Sequence, residues 1–139
     1  RFNKRDLINR IQRIARYQDR IDLYNLDAVD LLKKISNSLP SRTLIYFDPP
    51  YYLKGKDLYE NHYTHKDHVL VSRFITKIKK HKWVVSYDDV HQIRDFYRGH
   101  RKITYTLNYS AAKRSKGNEV LIFSDGLVVP RMELGSCFS

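Results

Sequence analysis

The chain has 139 residues, with 26 Lys and Arg against 15 Asp and Glu, 42% hydrophobic residues and a formal charge of +11. This length suits one globular domain that buries roughly two-thirds of its unfolded surface, so no disulfide or metal staple is required, and the single Cys137 has nothing to pair with. No apolar run approaches the roughly 18 residues of a membrane span, and the opening Arg1-Phe2-Asn3-Lys4-Arg5 lacks the apolar core of a signal peptide, which disfavours a secreted or membrane protein and makes a reducing cytoplasm the expected setting.

In chain order, residues 4–17 place Leu7, Ile8, Ile11, Ile14 and Ala15 on one helical stripe with arginines opposite, and Asn3 is the expected N-cap. Residues 21–26 read as a short strand, after which Asp27 caps a helix that buries Val29, Leu31, Leu32 and Ile35 and ends before Pro40. Residues 43–47 (Thr-Leu-Ile-Tyr-Phe) are uncharged, β-branched or aromatic, which predicts a strand covered on both faces in a parallel sheet. Thr64 is the expected cap of a helix over 66–80, with Val69, Leu70, Phe74, Ile75 and Ile78 as its buried stripe and lysines at its C-terminal end. Residues 83–87 form the next buried strand. Asp88 or Asp89 starts a short helix containing Val90, Ile93, Phe96 and Tyr97, which Gly99 stops. Ile103, Tyr105, Leu107 and Tyr109 alternate over a strand, residues 120–123 make another, and the basic segment 110–118 joins them. Strand, helix, strand, helix and an antiparallel pair predict an α/β layered sheet that ends in a hairpin.

The positive surplus favours a polyanionic partner, because Lys and Arg that neutralise phosphates release condensed counterions. A solvated basic surface accounts for the charge equally well. The only Met is Met132 and the chain opens directly into a helical pattern, so it is expected to be a piece of something larger.

Ligands of open α/β sheets bind beyond the carboxyl ends of the strands, and Asp48-Pro49-Pro50-Tyr51 stands at that end of the 43–47 strand. Two prolines fix φ twice and supply no N–H, so the backbone is stiff and Asp48 with the Pro49 carbonyl offers two acceptors beside an aromatic ring. Such a set suits an exocyclic amino group on a planar base, which has two hydrogens to donate and a face to stack.

Residues 24–127, about three-quarters of the chain, resemble the Dam-like DNA adenine-N6 methyltransferases. The anchors are Leu26-Asp27, Tyr46-Phe47-Asp48-Pro49-Pro50-Tyr51-Tyr52, Leu58-Tyr59 with Tyr63, Asp67-His68, Val85-Ser86-Tyr87-Asp88, Tyr97, and Glu119-Val120-Leu121-Ile122-Phe123. The resemblance implies part of a Rossmann-like methyltransferase sheet with flanking helices and a C-terminal antiparallel hairpin. Residues 1–20 are then a basic helix leading in, 21–127 the catalytic part, and 128–139 a disordered tail. It implies S-adenosylmethionine as methyl donor, no metal, and double-stranded DNA as partner, with an adenine flipped out of the duplex. Asp48, Pro49, Pro50 and Tyr51 would be catalytic, and Asp27 and Asp48 would meet the cofactor, although Asp27 reads equally well as a plain helix cap. Lys54, Lys56, Lys113, Arg114 and Lys116 are candidate phosphate contacts.

The chain departs from the family pattern in lacking the Phe-x-Gly-x-Gly cofactor loop: Gly55, Gly99, Gly117, Gly126 and Gly135 all stand far apart. It is therefore expected to need an upstream half of the domain, fused or in trans, with a non-catalytic DNA-binding half or a degenerate methyltransferase as the alternative. Pro49-Pro50-Tyr51-Tyr52 also matches a WW-domain ligand, but its attachment to a buried strand argues against that use. His62, His65 and His68 have a spacing of three without any Cys, and surface or substrate-side histidines are preferred to a metal cluster. Tyr59 and Tyr63 either line a DNA cleft or pack the loop.

Overall fold

The structure is a computed structural model that describes residues 3–53, 63–109 and 115–129. The chain divides into two compact units, Arg1–Asn37 and Ser38–Ser139.

In the first unit, α1 (Lys4–Ala15) begins where the Asn3 side chain accepts the Asp6 amide, and Asp6 pairs one turn on with Arg10 at 2.9 Å. Its apolar stripe is unburied, with Leu7, Ile8, Ile11 and Ile14 all at least 40% exposed. A 3₁₀ turn, Gln18–Arg20, follows. The expected strand over 21–26 does not form: the segment has no regular structure, and Ile21, Leu23, Tyr24 and Leu26 are exposed. A strand exists only through its ladder, and no described residue pairs with this one. In α2 (Ala28–Ile35), Asp27 is the N-cap and accepts the Val29 and Asp30 amides at 2.9 and 3.3 Å. Of its apolar residues only Leu32 is buried, while Val29, Leu31 and Ile35 are half-buried.

The second unit contains β1 (Leu44–Phe47), α3 (His65–Thr76), β2 (Lys82–Asp88), α4 (His91–Phe96), β3 (Arg101–Tyr109) and β4 (Ser115–Phe123). The described strands form one mixed sheet in the order β1-β2-β4-β3, with β1 and β2 parallel and β4 antiparallel to both neighbours. The predicted C-terminal hairpin is present, and its β4 reaches back to Ser115, so part of the supposed connector is strand. Coverage on both faces belongs to β2, where the five residues from Trp83 to Tyr87 are all buried. It does not belong to β1: Leu44 and Tyr46, alternate residues on one face, are 57% and 59% exposed, and only Phe47 on the other face is buried. The core is formed by Trp83, Val85 and Tyr87 with Ile75, Ile93, Tyr97, Val120 and Ile122.

A capping box starts α3, with Thr64 Oγ1 accepting the Asp67 amide and Asp67 Oδ2 accepting the Thr64 amide. The helix ends at Thr76 rather than near Lys80, so the lysines lie beyond it, and its buried face is His68, Val71, Ser72 and Ile75. Leu70, expected inside, is 63% exposed. The polar His68 and Ser72 occupy the inner row, a phase that apolar counting does not see. The N-cap of α4 is Val90, without a side-chain bond, so neither Asp88 nor Asp89 starts it. Asp89 instead holds Arg94 through two bonds of 2.6 and 2.7 Å, which keep its carboxyl below the usual carboxylate range. Beyond α4 the chain turns at Gly99, whose φ of +90° suits a residue without Cβ.

Candidate active site

Parallel pairing of Phe47 with Val85 brings the end of β1 beside the end of β2, so the residues that follow each strand meet at one corner. There Asp48 is exposed and Pro49 and Pro50 are half-buried. The buried Ser86, on β2, donates its hydroxyl to Asp48 Oδ1 at 2.7 Å and accepts the Tyr46 hydroxyl at 2.9 Å. A hydroxyl has one proton, so Tyr46 to Ser86 to Asp48 is a one-way chain ending on the carboxylate. It fixes the carboxylate plane while leaving the group open to solvent.

Past the prolines, the Asp88 carboxylate accepts two successive backbone amides, from Tyr52 at 2.7 Å and from Leu53 at 2.9 Å, one on each oxygen. Asp88 is thus spent on holding the loop, which is why it does not cap α4. The half-buried Tyr51 donates its hydroxyl to Glu119 Oε1 at 2.5 Å, and Tyr105 donates to Oε2 of the same carboxylate at 2.5 Å. Glu119 is only 5% exposed, and a buried carboxylate requires such donors. The engaged hydroxyl of Tyr51 also argues against a freely presented WW ligand.

The Tyr52 ring joins an aromatic cluster. Its hydroxyl meets His65 Nδ1 at 2.8 Å, and its ring lies 5.1 Å from His68 and 6.3 Å from Phe96. His68 is fully buried, with Nδ1 at 3.1 Å from the Tyr87 hydroxyl, so it is a core residue rather than a surface one. Burial holds it below the usual imidazole value against the opposing pull of Asp88 and Asp67, and burial likewise pushes the Tyr87 and Tyr97 phenols up. Tyr63 stacks edge-on against His68 at 5.3 Å and so packs the loop.

The structure brings together Asp48, Pro49, Pro50 and Tyr51. Asp27 lies in the other unit, its Oδ1 committed to the α2 cap. Lys54, Lys56, Tyr59, His62, Lys113 and Arg114 lie outside the described residues, and Lys116 is at the Asn108 register on β4. Among the described residues no cluster of His, Cys, Asp or Glu could hold a metal, and no helix is long and apolar enough to cross a membrane. Sequence reading assigned no role to Tyr46, Ser86 or Glu119, and read Asp88 only as a possible helix start. All four stand within the strand-end motifs Tyr46-to-Tyr52, Val85-to-Asp88 and Glu119-to-Phe123, and their recurrence at strand ends was the available signal.

An α/β sheet bearing a rigid acidic Pro-Pro-Tyr turn at a strand end defines a class of ligand-binding or catalytic domain. The family description for D12 class N6 adenine-specific DNA methyltransferases matches residues 1–114, and the chain belongs to that family. Adenine in DNA is that family's substrate. No individual curated protein matches the chain.

Proposed function

We propose that the chain carries the reacting corner of a transfer from S-adenosylmethionine to N6 of an adenine extruded from duplex DNA. The observation that carries the reading is an exposed Asp48 carboxylate, aimed by the Ser86 hydroxyl and followed by two prolines and a ring tied at its tip. The exocyclic nitrogen of adenine is conjugated with its ring and poorly nucleophilic. Two acceptors, Asp48 and the Pro49 carbonyl, each accept a hydrogen bond from one of its N–H groups, which favours a pyramidal nitrogen and frees its lone pair for the methyl carbon, with one proton released as the methyl is transferred and the thioether leaves. Tyr51 stacks on the extruded base, worth about 1–3 kcal/mol against the few kcal/mol that flipping costs.

The residues present fit one end of the methyl donor: an open carboxylate suits a sulfonium cation, whereas no two of the five glycines are close enough to form a cradle for its methionine tail. When bound, S-adenosylmethionine supplies an electrophilic methyl group, and Asp48 is the residue of the second unit that would meet it. The glycine-rich part is accordingly an upstream half, fused or in trans. Lys54, Lys56, Lys113, Arg114 and Lys116 are the proposed phosphate contacts.

Asp48→Ala, in the chain joined to its upstream half, is expected to lower kcat on unmethylated genomic DNA by roughly 10²–10³-fold, since it removes an acceptor aimed at the reacting nitrogen. DNA affinity should change little, because no phosphate contact is lost. Unchanged methyl transfer would refute the reading. Wild-type DNA binding without any transfer would leave a non-catalytic DNA-binding half.

A further inference from the structure

Tyr51 is constrained from three directions. Upstream, Pro49 and Pro50 fix two φ angles. Downstream, the amides of Tyr52 and Leu53 are both held by Asp88. At its tip the hydroxyl is held by Glu119, which also takes the hydroxyl of Tyr105. Asp88 on β2 pairs directly with Glu119 on β4, and Glu119 pairs directly with Tyr105 on β3. Directly opposed residues of an antiparallel ladder project from the same face, so the two carboxylates and the phenol form one row across the sheet beneath the loop.

We infer that Asp88 and Glu119 are paired positioning residues, one holding the backbone after Tyr51 and the other the tip of its ring, so that the ring is set for a base before any base arrives. The inference rests on the base-stacking reading above and names the residues that serve it. Neither acts on substrate; each acts through Tyr51. Ordering an aromatic side chain on binding costs free energy, and a ring already fixed avoids that cost. A buried Glu serves this purpose better than an apolar residue because only an acceptor can hold two phenol hydroxyls at once.

Two experiments separate this clamp from the reading it rests on. In the 139-residue chain, Asp88→Asn should accelerate amide hydrogen exchange at Tyr52 and Leu53 by about tenfold, with Val84 and Val85 unchanged as the fold control. Unaltered exchange at Tyr52 and Leu53 would overturn the clamp. If Asp88→Asn loses strand protection as well, Asp88→Ser is measured against the same control and judged by the same criterion.

The second experiment uses the enzyme joined to its upstream half, with Tyr51→Phe, Glu119→Gln and the double variant. Each single change should lower kcat about tenfold with KM for DNA nearly unchanged, and the double variant should be no slower than the slower single. Multiplying effects would show that Glu119 acts through something other than Tyr51 and overturn its assignment. Absence of methyl transfer in the wild-type enzyme would defeat the base-stacking reading, while the exchange measurement still decides whether Asp88 holds the loop.

Discussion

At the scale of single residues, three buried polar groups of the second unit, Ser86, Glu119 and His68, are held by tyrosine hydroxyls. His68 shows what this means for stability. It sits between the rings of Tyr52, Tyr63 and Tyr87, and burial lowers its pKa from the usual 6.5. Below about pH 6.5 the unfolded chain takes up a proton that the folded chain resists, so stability falls with falling pH until the folded pKa is passed. The slope from this residue is at most about 1.4 kcal/mol per pH unit. Urea denaturation at several pH values between about 7.5 and 5 should therefore give a flatter pH dependence for His68→Gln than for the wild type, and parallel curves would contradict the account. Asp89 acts in the same direction in a more acidic window: its carboxyl is lowered by the Arg94 bonds, so its contribution is fully present above about pH 3.8 and is lost as pH falls further, through its lowered folded pKa.

Among the elements, helix starts depend on short-range chemistry. The Thr64 and Asp67 box fixes the first turn of α3 and hence the position of His65, which meets Tyr52. Thr64→Ala should lower stability by about 1 kcal/mol, read as a lower melting midpoint. Caps at Asn3, Asp27 and Thr64 were legible in the sequence because each is a side chain bonding an amide two or three residues on. The strands over 43–47, 83–87 and 120–123 were legible from their apolar, β-branched runs. What was not legible is what depends on partners: the 21–26 segment has strand composition without a described ladder, and the inner row of α3 is partly polar. Asp88 looked like a helix cap because the amides it serves are 36 and 35 residues away, and the Glu119 partner of Tyr51 is 68 residues away. Local pattern pointed to Asp48 as the proposed reacting corner but not to the groups that hold it, Ser86, Asp88 and Glu119.

For the molecule as a whole, charge and glycine placement bear on what the chain can do by itself. No two of its five glycines stand close together in the sequence, so on the proposed reading titration calorimetry of the isolated chain with S-adenosylmethionine should show weak binding or none. Low-micromolar affinity would contradict the need for an upstream half.

The order of strands has a practical corollary for anyone choosing where to cut. The family match stops at residue 114, one position before β4 begins at Ser115, yet β4 lies between β2 and β3. A recombinant piece trimmed to the matched segment would not merely be shorter. It would be missing the middle plank of its own floor, leaving β3 beside no described neighbour and discarding Glu119 with it.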